Sequence, residues 1–508
     1  MRKTTRTAIA AILGITSSFL AAETASPSPP EHPNIIWLMT EDIGTDLETY
    51  GTAGVQTPNL NKLADEGALF TRAYCENPIC SPNRSGMMVG VHPSRINAQH
   101  HRSNRETPLP EPYKPITYWL RQAGYTCILG SDLVFDRGTK IDCNFRHEPT
   151  GDYDGITEFG LFDKIGDFTQ ADQPFFNQIQ LKITHRGDWW KSVREASENP
   201  VSLDEIELPP YMADTPETRY DWAAYLDTIE FMDNEVGLIL QRLKDEGIEQ
   251  NTIIIFIADN GRCNLRGKGF LHQPGIHIPM IIWAPDHFQG GTVVEELVST
   301  TDISATILQL AGIPLPDYMT ARPFMGVDEP EYRTYVRSAR DIWDEIDEAS
   351  RSITTNRYKY ILNLMPEVPW DTDHAYLELN RPSLHVMRQL KAGGKLTDPE
   401  MTFFHETKPV EELYDLEIDP NEMVNLAEDP AYRETLEQMR AYEQDWRSQY
   451  QDFGLEDLGQ REPEAGLRSV RVRQAVKEKA PELWERLEAG ELMQTQAWKE
   501  YLNAPKKN

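Results

Sequence analysis

Two oxygen-rich strand ends and one cysteine stand where this chain could do chemistry. Glu41-Asp42 follows the apolar run Asn34 to Met39, and Asp259-Asn260-Gly261 follows Thr252 to Ala258. Short continuous apolar runs read as buried parallel strands, and open α/β sheets take their ligands beyond the carboxyl ends of such strands. Both stretches also suit plain turns: Glu-Asp is readily solvated, and Asp-Asn-Gly is a strong turn sequence. Cys80 sits in Asn77-Pro78-Ile79-Cys80-Ser81-Pro82-Asn83-Arg84, ahead of a small and apolar run ending at Gly90. Pro82 restricts itself and Ser81, so the cysteine is expected just outside regular structure. A helix is expected from Ser85 to Val89, its free N-terminal N–H groups suiting an anion. Taken bare, the same residues also describe a buried cysteine beside a helix start.

The elements that must position these groups alternate in type. Thr57 to Ala64 reads as a helix with Leu60, Leu63 and Ala64 on one face, stopped by Gly67, and Ala68 to Tyr74 as a strand. A helix over Ile116 to Ala123 precedes a strand from Tyr125 to Leu129. Pro174 to Leu181 is a further strand, leading into Lys182, His185 and Arg186, with Trp189 and Trp190 able to stack on a sugar ring or simply to pack. Arg219 to Glu246 carries apolar residues at helical spacing. This pattern predicts an α/β fold, with one large core built on buried parallel strands. From about Glu329 the pattern changes, giving expected units at 26–328, 329–430 and 431–508 (a charged helical extension).

The 508-residue chain has a formal net charge of −31, which disfavours nucleic-acid partners. An anionic substrate would need lysine, arginine and histidine concentrated locally against that field. Arg2, Lys3 and Arg6, then the apolar Ala8 to Leu20 and small residues to Ala25, read as an export signal over 1–25. The expected location is periplasmic or secreted, with no membrane span in the mature chain. The five cysteines lack any C-x-x-C spacing, and Cys127 with Cys143 is a conceivable pair.

Cys80, Pro82, Arg84 and Gly90 match, position by position, the C-x-P-x-R signature of the type I sulfatases, a branch of the alkaline phosphatase superfamily. Further similarity runs from Pro33 to Leu426. The resemblance implies the alkaline-phosphatase-like sulfatase fold, a large mixed, mainly parallel sheet flanked by helices, with a smaller C-terminal α+β subdomain over 329–430, a small antiparallel sheet with a helix. It implies that a maturation enzyme oxidises Cys80 to Cα-formylglycine (3-oxoalanine), whose hydrated aldehyde is the nucleophile. It also implies one divalent cation held by Glu41, Asp42, Asp259, Asn260 and residue 80; an all-oxygen set suits Ca2+. Relatives usually carry Asp-Asp where this chain has Glu41-Asp42. Arg84, Lys140, His185 and Lys268 are then expected to be catalytic, and His101, Asp142 and Arg186 to contact substrate.

One departure stands out. Gly130-Ser131-Asp132-Leu133 replaces the family's G-K-W-H segment, so the family lysine is placed at Lys140, with Asp142 where a histidine is usual. The function implied is an exported sulfatase acting on sulfate esters or N-sulfates of a sulfated carbohydrate. The alternatives are a phosphoesterase or phosphonate hydrolase of the same superfamily, and a non-catalytic sulfated-glycan binder.

Overall fold

The computed structural model describes residues 32–489 apart from 136, 188, 285, 286, 451, 453 and 457–466. The expected export signal lies outside the described residues. Strand β1 (Asn34–Thr40) is buried along its whole length at the middle of a nine-stranded sheet. The other strands of this sheet are β2 (Ala68–Tyr74), β3 (Thr126–Ser131), β6 (Lys164–Ile165), β7 (Phe175–Leu181), β8 (Thr252–Ala258), β9 (His277–Trp283), β10 (Thr292–Val294) and β11 (Val298–Ser299). A two-stranded sheet of β4 (Glu148–Thr150) and β5 (Gly160–Phe162) stands apart from it. The order in the large sheet is β10-β2-β9-β8-β1-β7-β3-β6, with β11 also on β2. Only β9 runs antiparallel to its neighbours. The sheet is therefore mixed and mainly parallel, as the family resemblance implies.

Register positions the chemistry. Thr40, the last residue of β1, lies opposite Leu181 of β7 on one side and Ala258 of β8 on the other. The residues that follow all three strands therefore leave the sheet side by side at one carboxyl edge. Thr252-Ile253-Ile254-Ile255-Phe256-Ile257-Ala258 is buried throughout, with no face left polar. Each isoleucine there contributes roughly 1.5–3 kcal/mol by burial, so this register is strongly fixed.

Helices flank the sheet. α1 (Pro58–Glu66), α4 (Trp189–Ala196) and α5 (Pro216–Asp245) pack in one group, and α2 (Cys80–Val89), α3 (Ile116–Gln122) and α7 (Thr300–Leu310) in another, while α6 (Gln273–Ile276) is a single turn leading into β9. α5 starts where Thr215 caps the Thr218 N–H with Pro216 in the first turn, and it ends with Arg242 and Lys244 at its negative pole. Its Trp222, Leu226, Ile229, Met232 and Val236 are buried.

A second sheet, antiparallel, runs β12 (Val336–Arg340), β13 (Ser350–Thr354), β14 (Tyr358–Asn363), β15 (Glu411–Asp415). Between β14 and β15 come α8 (Ala375–Asn380), α9 (Pro382–Ala392) and the short α10 (Asp398–Met401). α11 (Arg433–Tyr450) covers the sheet, placing Leu436, Met439 and Trp446 against Ile353, Tyr360 and Leu413. α12 (Leu467–Lys479) and α13 (Pro481–Glu488) close on α8 and α9 through Val476, Leu483 and Leu487. Among the described residues no helix is long and apolar enough to cross a membrane.

Candidate active site

The sequence expectation that a helix begins at Ser85 is corrected: α2 begins at Cys80 itself. Pro82 falls in the first turn, where its missing N–H costs no helical hydrogen bond. Asn77 Oδ1 accepts from the Ile79 N–H at 3.1 Å, shaping the approach to the helix. Gly90 then ends α2 at φ 76°, a left-handed stop that favours glycine. The helix is buried at every position, so Cys80 and Arg84, one turn apart, point into the interior of the molecule.

There the two strand ends meet. The Asp42 N–H donates to Asp259 Oδ1 at 3.3 Å, and Asn260 Nδ2 donates to Asp42 Oδ1 at 3.0 Å. Asp42 takes a positive φ of 53° to turn back into this cluster, a strained backbone of the kind that collects at functional sites. Arg84 joins three elements. Its Nε donates to Asp259 Oδ2 at 2.8 Å, its Nη1 to Gln180 Oε1 at 2.6 Å, and its Nη2 lies 3.7 Å from Glu41 Oε1. Lys140 donates to Glu41 Oε2 at 2.7 Å and Lys268 to Asp42 Oδ1 at 2.6 Å. His185 Nε2 sits 3.7 Å from Glu41 Oε2, and the ring is a quarter exposed toward solvent.

Three buried carboxylates thus share a small volume. Burial would raise Asp42, but Lys268 and His185 hold it well below the usual carboxylate range. Asp259 is pushed upward by burial, assisted by Glu41 and Asp42 and opposed by Arg84. Burial also pushes the Cys80 thiol up, against Lys268 and Lys140. Two buried oxygens in this cluster, Glu41 Oε1 and Asn260 Oδ1, have no hydrogen-bond partner. Orphaned hard oxygens beside carboxylates form a donor set that suits a divalent cation such as Ca2+.

The remaining expected residues fall into place unevenly. His101 sits with Nε2 4.0 Å from Cys80 Sγ, while its Nδ1 lies 2.7 Å from Asp344 Oδ1. Asp142 is held by Arg102 at 3.6 Å, Lys140 at 3.5 Å and a close contact with Arg105. Burial would raise Asp142, but Lys140, Arg102 and Arg105 keep it well below its ordinary value. Arg186 is 2% exposed, with its guanidinium on Asp221 and the Asn380 carbonyl and stacked over Trp190. It reaches the site through its backbone N–H, which donates to Asp42 Oδ2 at 3.3 Å. Trp190 is fully buried, whereas Trp189 lines the mouth. All five cysteines are free, so Cys127 and Cys143 are not paired.

Sequence reasoning missed Gln180, Asp344 and Thr184. The Thr184 hydroxyl bonds Thr40 Oγ1 at 2.8 Å and accepts from the Glu41 N–H at 3.3 Å. Asn177, Gln178 and Gln180 inside a strand that is buried throughout were a usable signal, since a buried amide demands a partner.

The family model described as Sulfatase matches residues 33–313, and an ulvan-active sulfatase from Formosa agariphila is 32% identical over 81% of this chain and 74% of its own. This chain is a sulfatase. It belongs to the sulfatase family within the alkaline phosphatase-like superfamily, and its class of activity is sulfuric ester hydrolysis. The model described as N-sulphoglucosamine sulphohydrolase, C-terminal, matches residues 261–372. Human N-sulphoglucosamine sulphohydrolase is 27% identical over 82% of this chain and 90% of its own. Among solved structures, a 2-O GAG sulfatase aligns with a TM-score of 0.59 at 19% identity, covering 86% of this sulfatase and 96% of that chain. The phosphonate monoester hydrolase of Agrobacterium radiobacter aligns at 0.57 with 18% identity, covering 82% and 96%. The fold is thus shared between sulfatases and a phosphonate hydrolase. The expectation of an enzyme is met, and the alternative of a non-catalytic binder falls away.

Proposed function

We propose that this sulfatase is exported, that Cys80 is converted to formylglycine, and that it removes sulfate from a sulfated carbohydrate with one bound divalent cation, Ca2+ by its donor set. One observation carries the reading: the ends of β1 and β8 converge beside the helix that starts at Cys80, leaving Glu41 Oε1 and Asn260 Oδ1 without hydrogen-bond partners. Glu41, Asp42, Asp259 and Asn260 would hold the cation. The converted residue would supply the nucleophilic hydroxyl, and the cation would acidify it and polarise a sulfate oxygen.

The chain's own residues supply the rest. Lys140 and Lys268 are anchored on Glu41 and Asp42, so both ammonium groups are preorganised to face developing charge on a sulfuryl group without rearranging. Arg84 locks Asp259 and Gln180 in place beneath them. His185, at the solvent side, is placed to meet the leaving oxygen. Asp142, tied to two arginines and a lysine, is a poor proton acceptor. His101 is the better one. Its Nε2 faces residue 80, and Asp344 fixes the ring so that Nδ1 carries the hydrogen. We assign His101 the base that removes a proton from residue 80, in place of the histidine missing from the family position, and Arg186 a bracing role. The names of the relatives, an ulvan-active sulfatase and an N-sulphoglucosamine sulphohydrolase, support a glycan substrate.

The test is co-expression with a formylglycine-generating enzyme, mass spectrometry of the Cys80 peptide, and release assays on defined sulfated oligosaccharides against matched phosphate and phosphonate esters. Faster sulfate release by converted protein is expected. Faster phosphate or phosphonate release, or none from any ester, would overturn the assignment.

A further inference from the structure

Outside the cation-binding carboxylates, the mouth of the pocket carries charge and aromatic surface that sulfate removal does not use. A cavity of about 250 Å3 opens beyond Glu41, Lys140 and His185, and its outer wall includes Phe135, Arg137, Lys182 and Trp189. Phe135 and Trp189 meet edge to face at 5.7 Å between ring centroids. The Arg137 guanidinium lies over both rings, 5.1 Å from one centroid and 4.9 Å from the other. Stacking of this kind fixes the guanidinium plane while leaving its N–H edge available.

The support under this wall is built. The backbone N–H groups of Leu133, Val134 and Phe135 donate at 2.8, 2.8 and 2.9 Å to the buried carboxylate of Glu235 on α5. Lys182 donates to the Arg137 carbonyl, joining the loop to the exit of β7. Trp189 Nε1 donates to the Ile183 carbonyl at 2.7 Å, setting the angle of the indole. Arg102, which also lines the cavity, is paired with Asp142, but among the described residues no carboxylate pairs with Arg137. In a chain of net charge −31, an exposed guanidinium held over aromatics at the mouth of an anion pocket is a local exception that favours an incoming negative group.

We propose that Arg137, presented by Phe135 and Trp189, is a specificity residue for a sugar bearing a second anionic group beside the sulfate that is removed. The group is a planar or tetrahedral oxyanion, either a ring carboxylate or a second sulfate ester, to which the guanidinium edge offers paired donors. The aromatic pair takes the apolar face of the same or the adjoining ring. Lys182 adds a second cation at the same wall. This rests on the sulfatase reading above.

The experiment uses the full chain with residue 80 converted. It compares kcat/KM for sulfate release from oligosaccharides matched in every respect but the second anion: a sulfated sugar linked to a uronate, its carboxyl-reduced counterpart, a disulfated sugar and its monosulfated counterpart. Wild type is expected to prefer a doubly charged member about 10–100-fold, the range of a charge-assisted pair. The preferred pair identifies the carboxylate or the sulfate as the source. Arg137→Ala should collapse that ratio toward one through KM, and Arg137→Lys should restore part of it. As a readout without turnover, unconverted Cys80 protein should bind the preferred oligosaccharide at least about 10-fold more tightly than its singly charged partner by calorimetry. A wild-type ratio near one, or a ratio unchanged in Arg137→Ala, overturns the proposal. If sulfate leaves the singly charged esters but the ratio is flat, only this inference falls. If no ester is cleaved, both fall.

Discussion

The imidazole of His101 lies between Cys80 and Asp344, with Nε2 4.0 Å from the sulfur and Nδ1 2.7 Å from the carboxylate. The carboxylate comes from a loop 243 residues further along the chain, between β12 and β13. Under the proposed role of His101, two steps of turnover can be told apart. If His101 serves only the step that regenerates residue 80, His101→Ala should lower kcat by about 10²–10⁴. It should still release a stoichiometric burst of desulfated sugar. Asp344→Asn should give a weaker loss of the same kind, because it disturbs the ring's tautomer but keeps its place. Rapid-mix measurement of the burst decides the matter: a variant with neither burst nor turnover would move His101 to the first step.

The orphaned oxygens of Glu41 and Asn260 bear on metal dependence. Chelation should abolish sulfate release and lower the thermal midpoint, and Ca2+ should restore both. At a free Ca2+ concentration 100 times its Kd the added stability is about 2.7 kcal/mol. Asn260→Ala and Glu41→Gln should each blunt that gain, because the first removes an oxygen that lacks a hydrogen-bond partner and the second takes away the negative charge behind another. A thermal midpoint indifferent to every divalent cation tested would count against a cation at this position.

Much of this was legible in the sequence because it was local. The apolar runs of β1 and β8, each ended by acidic or amide side chains, gave the strands and the edge at which they deliver ligands. The C-x-P-x-R signature then connected that edge to Cys80. What stayed hidden depends on contacts distant in sequence. Nothing near His101 marks Asp344 as its partner, and nothing near Leu133 marks Glu235 as the anchor of the loop bearing Arg137. The substitution of Asp142 for a histidine was visible, but not its neutralisation by Arg102 and Arg105 from another loop. The start of α2 was misplaced because a proline near a cysteine reads equally as a helix's first turn or as a block before it.

His92 makes stability depend on pH. It is buried against the edge of Trp446 at 5.3 Å, with Nδ1 2.8 Å from Ser94 Oγ. Burial pushes its pKa down to about 4, with Arg337 and Arg351 acting in the same direction and Glu76 and Asp452 opposing. The unfolded chain protonates near pH 6.5, so between about 6.5 and 4 the unfolded state binds more protons. The stability tied to keeping His92 neutral is therefore fully present above that window and is lost as pH drops through it, by up to roughly 3 kcal/mol. In thermal melts across this range His92→Gln should show a shallower dependence than wild type. Equal slopes for the two proteins would remove His92 as the cause.

Arg84 is a case in which chemistry and stability fail together. Its guanidinium satisfies Asp259 and Gln180 and faces Glu41, tying α2 to the ends of β8, β7 and β1. A lysine carries the charge but cannot reach several partners with fixed geometry. Arg84→Lys should therefore cost about 10²–10³ in kcat, and breaking the buried pair with Asp259 should destabilise the fold by about 3–5 kcal/mol. Gln180→Ala leaves that ion pair intact and removes one neutral acceptor. It should cost only about 1–3 kcal/mol, with a much smaller loss of rate. Denaturation and kinetics on both variants separate the two contributions. If Gln180→Ala proves as damaging to kcat as Arg84→Lys, the position of the guanidinium matters more than its charge.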